Sequence, residues 1–152
     1  MEDNLCTPGA RVRLALTAMI LALPFSGCGN QGVDLYPVQG VVVWSDGRPA
    51  RELAEGVVSL QMTEHADRSA SPYGAIQSDG SFVFRSPGLG KGAAEGQYRA
   101  RVTPFIQIRP GVPRPPPVMD PKFQHYDRSG LEVTVERKKN QITLTVGRAP
   151  RR

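Results

Sequence analysis

Short runs of alternating apolar and polar residues recur along the chain from residue 37 onwards, with the two-residue period of a strand that has one buried face. The alternation is clearest over Gln97 to Thr103 and over Leu131 to Glu136, where every second residue is apolar. No segment after residue 30 repeats apolar residues at helical spacing. We therefore predict an all-β domain. Seven strands are expected, at residues 37–44, 56–62, 73–77, 81–85, 97–103, 131–136 and 141–146.

Turn residues separate these strands and predict how they connect. Ser78-Asp79-Gly80 separates the third strand from the fourth, and Asp-Gly supplies the positive φ that a tight hairpin needs. Arg-Lys-Lys-Asn at residues 137–140 separates the last two strands and predicts a second hairpin. A shift of one residue would turn every inward side chain to solvent, so the register is strongly specified. These features predict a seven-stranded, antiparallel Greek-key sandwich of two sheets.

The prolines are concentrated in one segment, which interrupts the strand pattern. Residues 104–121 hold seven of the 14 prolines of the chain. Because proline has no amide proton to donate to a sheet, we predict an extended surface loop with polyproline II character. The domain organisation expected is a short tether over 28–35, the sandwich over 36–147 and a basic tail over 148–152.

The first 27 residues have the pattern of a signal peptide. Arg11 and Arg13 precede an apolar run from Leu14 to Phe25. This run has 12 residues, whereas a membrane-spanning helix needs about 20. The structural alternative is a buried hydrophobic helix. The pattern favours export and removal of residues 1–27.

The end of this segment resembles the lipobox of bacterial lipoproteins. Ser26 and Gly27, both small, stand directly before Cys28. The resemblance implies cleavage between Gly27 and Cys28 and a diacylglycerol on the Cys28 thiol, which would anchor the protein to a bacterial membrane. The alternative is an ordinary secretory signal with a cysteine after the cut. Gly29 is not the aspartate that often retains lipoproteins at the inner membrane, so the outer membrane or cell surface is expected.

The number of cysteines limits the disulfide bonds that the mature chain can form. Cys6 lies in the segment predicted to be removed, which leaves Cys28 alone. No intrachain disulfide is expected, so the domain must be stabilised by its core.

Four motifs along the predicted strands carry a family resemblance. They are Val38-Gln39-Gly40-Val41-Val42, Asp46-Gly47-Arg48-Pro49, Gln77-Ser78-Asp79-Gly80-Ser81-Phe82 and Gly96-Gln97-Tyr98-Arg99. Together they resemble the carboxypeptidase regulatory-like (transthyretin-like) domain over residues 36–146, in its small bacterial lipoprotein form. The resemblance implies a transthyretin/prealbumin-like or immunoglobulin-like sandwich, used as a module for folding, adhesion or spacing.

Two residues of these motifs have structural roles that follow from their chemistry. Gly40 has no side chain and admits close packing within the sheet. Tyr98 offers a large ring for the core and a hydroxyl that can tie down a neighbouring loop.

Catalytic and metal-binding patterns are weak in this sequence. His65 and His125 are far apart in sequence and have no cysteine or acidic partners at metal-ligand spacing, so no metal and no cofactor are expected. Residues 88–92 are glycine-rich but lack the Lys-Ser/Thr ending of a phosphate loop, which favours a flexible connection. Residues 147–152 lack the Tyr-Arg-Gly-Ser ending of the transthyretin-like 5-hydroxyisourate hydrolases. We predict a protein that is not an enzyme.

The formal net charge of the chain is +5. Cations cluster at the turn 137–139 and at Arg148, Arg151 and Arg152, at opposite ends of the last predicted strand. The structural interpretation is a solvated turn and a frayed tail; the functional one is contact with anionic lipid or an acidic polysaccharide. Binding of nucleic acid is not expected, because exposed aromatic residues are not interleaved with the basic ones.

These observations predict an envelope-anchored lipoprotein with a non-catalytic β-sandwich. Its role would be structural, or the binding of an envelope protein or polysaccharide. The alternative is a small hydrolase or ligand carrier with a pocket built from His125, Tyr126 and the proline-rich loop. A third hypothesis is an accessory subunit of an envelope complex.

Overall fold

The computed structural model describes residues 33–64 and 71–150. The predicted signal peptide (1–27), the proposed lipidation site Cys28 and His65, Arg151 and Arg152 lie outside these ranges. Within them, no helix has the length and apolar character needed to cross a bilayer.

The described residues form an all-β structure, as predicted. Its eleven strands are β1 (Leu35–Tyr36), β2 (Val38–Trp44), β3 (Val57–Met62), β4 (Tyr73–Ala75), β5 (Ser81–Val83), β6 (Arg85–Ser86), β7 (Gly90–Lys91), β8 (Ala93–Ala94), β9 (Gly96–Thr103), β10 (Leu131–Val135) and β11 (Asn140–Val146). Two short 3-10 helices cover Arg51–Leu53 and Pro121–Gln124. Each of the seven predicted strands is present, and the four extra strands have two residues each. One of the latter, β7, lies in the glycine-rich segment 88–92 predicted as a flexible connection, and β8 follows directly after it.

The strands form three sheets. Their orders are β10-β9-β3-β4-β6-β7, β11-β2-β5 and β1-β8. The six-stranded and three-stranded sheets contribute to one hydrophobic core. All strand pairs are antiparallel except β2 and β11, which run parallel from Val38 opposite Asn140 to Trp44 opposite Val146. The predicted antiparallel sandwich is therefore wrong for the pair β2 and β11, which is parallel. The predicted number of seven strands is also wrong, because the described residues form eleven.

The second predicted hairpin is also wrong, because β10 and β11 belong to different sheets. Asn140, the last residue of the predicted turn, is buried and holds the connection. Its side-chain oxygen accepts from the Glu136 amide (3.0 Å), and its side-chain nitrogen donates to the carbonyls of Glu136 (3.0 Å) and Lys138 (2.6 Å). Its own amide donates to the Pro37 carbonyl (2.8 Å). After β10 the chain thus crosses to the three-stranded sheet, where β11 pairs with β2.

The first predicted turn forms, but the strands beyond it separate. The Gln77 amide donates to the Ser81 carbonyl (2.8 Å), and Gly80 has the expected positive φ of 85°. The Gly80 carbonyl then accepts from the Val42 amide (2.9 Å), which directs β5 to β2, while β4 pairs with β3. A turn that closes as predicted therefore connects two sheets instead of two paired strands.

The core is built from the inward residues of both larger sheets. The largest fully buried side chains are Trp44, Phe82, Phe84, Leu53, Leu60 and Met119. The rings of Phe82 and Phe84 meet edge to face, with centroids 5.1 Å apart. Tyr98 is buried, and its hydroxyl donates to the Ala94 carbonyl (2.9 Å). The hydroxyl therefore fixes the short strand β8, whereas the sequence predicted that it would fix a loop.

Gly40 lies where β2 contacts both of its neighbours. Ile142 of β11 is opposite on one side and Phe82 of β5 on the other. A Cβ atom on Gly40 would lie 2.8 Å from Cζ of Phe82 and would also overlap the Ile142 carbonyl oxygen. The predicted close packing at this glycine is confirmed.

Arg148, at the start of the predicted basic tail, is bound to the domain. Its guanidinium carbon lies 4.2 Å from the ring centroid of Trp44, and its Nη2 donates to Glu52 Oε1 (3.0 Å). The indole nitrogen of Trp44 donates to the other carboxylate oxygen of Glu52 (2.9 Å). The Trp44 hydrogen bond, followed by the backbone and Arg148 bonds, lowers the pKa of Glu52 to about 2. The interpretation of the C-terminal tail as frayed is therefore wrong for Arg148.

The segment 104–118 forms no strand, in agreement with the predicted loop. Its far end is fixed to the C-terminal segment, since Met119 bridges to Arg148 and the Ala149 amide donates to the Val118 carbonyl (3.0 Å). Exposed large apolar side chains project from it, among them Phe105, Ile106, Ile108 and Val112.

Replacing Gly40 by alanine is expected to destabilise the domain by about 1–3 kcal/mol, because the methyl group overlaps main-chain and ring atoms that cannot both move away. Urea unfolding measures this change. Gly147→Ala is the matched control, since its methyl group would meet Phe123 at an ordinary 3.5 Å. Equal stability of the two variants would contradict the packing described for Gly40.

Replacing Glu52 by glutamine is expected to lower the free energy of unfolding by about 1 kcal/mol near neutral pH, because the carboxylate is half exposed and screened. The folded pKa lies below the ordinary 4.5, so the stabilisation is complete above that value and is lost as the pH falls towards about 2. Urea unfolding of the wild type and the variant at several pH values tests this. Glu132→Gln, outside every ion pair of the described residues, is the control. A difference that does not change with pH would refute the assignment.

Candidate functional site

An open groove of about 680 Å³ lies on the outer face of the six-stranded sheet. Strands β3, β4 and β9 form its floor, and the loop after the second 3-10 helix forms its wall. The lining residues are Val57, Ser59, Gln61, Ser71, Tyr73, Arg99, Arg101, His125, Tyr126 and Asp127.

The floor follows from the alternation that also builds the core. Ser59 lies opposite Tyr73 of β4 on one side and opposite Arg101 of β9 on the other, so the three side chains form a row across the sheet. The neighbouring residues Val58 and Leu60 are fully buried. The same strands therefore supply apolar side chains to the core and polar ones to the groove.

The wall is fixed to β9 by buried contacts. The Asp120 side chain accepts from the Lys122 amide (3.0 Å) at the start of the 3-10 helix, and Phe123 within this helix is buried in the core. The Ser129 hydroxyl donates to the Ala100 carbonyl (2.6 Å) at the other end of the loop. The loop that carries His125, Tyr126 and Asp127 is thus held at both ends.

Two arginines dominate the electrostatics of the groove. The guanidinium carbon of Arg101 lies 4.7 Å from the ring centroid of Tyr126, and its Nε is buried without a hydrogen-bond partner among the described residues. Arg99 is exposed. Neither arginine belongs to an ion pair within the described part of the chain, whereas Asp127 pairs with Arg128 (3.8 Å). The groove therefore offers positive charge and hydrogen-bond donors to a ligand rich in acceptors.

The serines of the groove are not hydrogen-bonded to its histidine among the described residues. A serine nucleophile needs a base within hydrogen-bond reach. Among the hydrogen bonds of the described residues, none joins His125 to Ser59 or Ser71. Across residues 33–64 and 71–150, no group of three or more His, Cys, Asp or Glu residues could hold a metal ion.

The pocket expected for a hydrolase or carrier is present only in part. His125 and Tyr126 do lie together at the groove, but the proline-rich loop does not line it. That loop encloses a separate concavity of about 290 Å³ from its own residues 107–115. The reason is the pairing of the loop's end with the C-terminal segment, described above.

Three of the six clustered cations predicted from the sequence form ion pairs in the described part of the chain. Arg137 pairs with Glu95 (2.6 Å), Lys138 with Glu136 and Arg148 with Glu52 (3.0 Å). Arg137 and Arg148 do lie before and after the last strand, as predicted. The alternation over Gln97 to Thr103 predicts that Arg99 and Arg101 face water, but it does not single them out as site residues. Their alternation on β9 was visible in the sequence, but the neighbours that complete the site were not.

No protein-family model, curated protein or solved structure matches the chain. The function of the chain is therefore inferred from the groove and from the sequence motifs of the chain.

Proposed function

We propose that the chain is an exported lipoprotein whose sandwich is a non-catalytic binding module for a glycan. The signal-peptide pattern and the Ser26-Gly27-Cys28 sequence support export, cleavage before Cys28 and anchoring to the outer membrane or cell surface. The order of the motifs supports a transthyretin-like Greek-key sandwich, enlarged by the four two-residue strands.

The row of Tyr73, Ser59 and Arg101 across the open face of the sheet carries the proposal of glycan binding. Sugars present apolar ring faces beside hydroxyl groups. Tyr73 is 45% exposed and offers a flat ring, while Ser59 and Arg101 offer hydrogen bonds next to it. Gln61 and Arg99 extend the polar surface by one further row. This combination of exposed ring and ordered donors is typical of a binding site.

A second candidate function is contact with an envelope protein through the proline-rich loop. The exposed side chains of Phe105, Ile108 and Val112 favour it, because apolar groups of this size concentrated in one loop are typical of interaction surfaces. The alternative of a hydrolase based on His125 gains no support from the groove.

The intact mass of the protein purified from its native membrane tests the anchor. We expect a mature chain that begins at Cys28 and carries acyl groups, because the thiol of Cys28 follows the small pair of the lipobox. Cys28→Ser should lose the acyl mass. An unlipidated soluble product of the wild-type gene would contradict the anchoring.

Binding to an array of printed polysaccharides tests the groove. We expect the wild type to bind at least one polysaccharide, and Tyr73→Thr to bind it about tenfold more weakly because the exposed ring is lost. Threonine keeps the strand propensity of the position. Arg114→Gln in the proline-rich loop is the control and should bind as the wild type. Binding of no polysaccharide, or unchanged binding by Tyr73→Thr, would refute the proposal.

A further inference from the structure

The row of side chains at the groove continues across two more strands. Tyr73 of β4 is paired with Arg85 of β6, and Arg85 is paired with Lys91 of β7. Paired residues of antiparallel strands present their side chains on the same face of the sheet. Lys91, Arg85, Tyr73, Ser59 and Arg101 therefore follow one another over five adjacent strands.

Four cations of this sheet face have no acidic partner among the described residues. Arg85, Lys91, Arg99 and Arg101 form no ion pair with any described residue, although five other cations of the described chain do. Other described cations without an ion pair lie outside this face, on other segments: Arg51, Arg109, Arg114, Lys122 and Lys139. Two described acidic side chains border these four cations: Glu132 is paired in register with Arg99, and Asp127 lines the groove and contacts Arg128. A surface that keeps four cations unpaired attracts an anionic ligand.

The spacing of these cations indicates the size of the ligand. Arg85 lies three strands from Arg101, which corresponds to about 14 Å at the usual separation of strands. The uncharged side chains of Tyr73 and Ser59 lie between them. A small anion can contact only one end of the row, whereas a polymer with repeated acidic groups can contact both ends and place a sugar ring on Tyr73.

We propose that the ligand is an acidic polysaccharide that runs across the strands, from Lys91 and Arg85 over Tyr73 to Arg101 and Arg99. This inference rests on the proposed function, since it names the class of glycan that the groove takes. The carboxylate or phosphate groups of the polymer pair with the guanidinium and ammonium groups.

A membrane surface fits this face less well than a polysaccharide does. Proteins that bind a bilayer surface insert apolar side chains among the lipids. The row contains one exposed large apolar residue, Tyr73, while Phe105 and Ile108 project from the proline-rich loop instead. The face is therefore suited to a hydrated polymer.

Calorimetric titration with polygalacturonate tests the inference, with the fully methyl-esterified polymer as the probe that has the same backbone without the charge. We expect binding of polygalacturonate that is at least about tenfold tighter than that of the ester. Affinity should also fall by about tenfold or more between about 50 mM and about 200 mM salt, as for other ligands that bind through several charges.

The double variant Arg85→Gln/Lys91→Gln separates the charged row from the groove itself, because both residues are exposed and lie outside the groove lining. It should lose about tenfold in affinity for polygalacturonate. It should retain the wild-type affinity for any neutral polysaccharide found on the array. Arg114→Gln removes one charge from an exposed loop and should leave both affinities unchanged.

Several results would overturn this inference while leaving glycan binding intact: equal affinity for the ester and the acid, a neutral polysaccharide as the only ligand, or no effect of the double variant. Binding to vesicles of anionic phospholipid but not to polygalacturonate would assign the row to a membrane and overturn it as well. If no polysaccharide of any charge binds, the inference and the proposed function both fail.

Discussion

The pairing of β2 with strands on both of its sides is the constraint on which the rest of the structure depends. β2 is parallel to β11 and antiparallel to β5, and Gly40 permits both neighbours to approach. β11 pairs with β2 and is the edge strand of the three-stranded sheet, so it does not form the predicted hairpin with β10. Strand β10 instead pairs with β9 in the other sheet, and the buried side chain of Asn140 holds the connection between the two.

The candidate site is a consequence of this arrangement. With β2, β5 and β11 assembled on one side of the core, strands β10, β9, β3 and β4 turn only their inner face to it. The loop anchored by Ser129 borders their outer face, and Tyr73, Ser59 and Arg101 stay open. Strand β9 thus has two functions that alternate residue by residue, since Tyr98, Ala100 and Val102 are buried while Arg99 and Arg101 line the groove.

Local features of the fold could be predicted from the sequence, whereas the choice of strand partners could not. Alternation and turn chemistry depend on neighbouring residues, so the seven main strands, the Gly80 turn and Gly40 were found. Parallel pairing of β2 with β11 joins residues about a hundred positions apart, and no local signal encodes it. The same holds for the contacts of Arg148 with Glu52 and Trp44 and for the groove, whose residues come together only through long-range register.

Amide chemical-shift mapping during titration with polygalacturonate tests most directly whether the open sheet face is the ligand site. The largest shifts should occur around Ser59, Tyr73 and Arg101 and continue to Arg85, because the polymer crosses these strands. Shifts confined to the proline-rich loop or to the turn 137–139 would contradict the account and move the site to another surface.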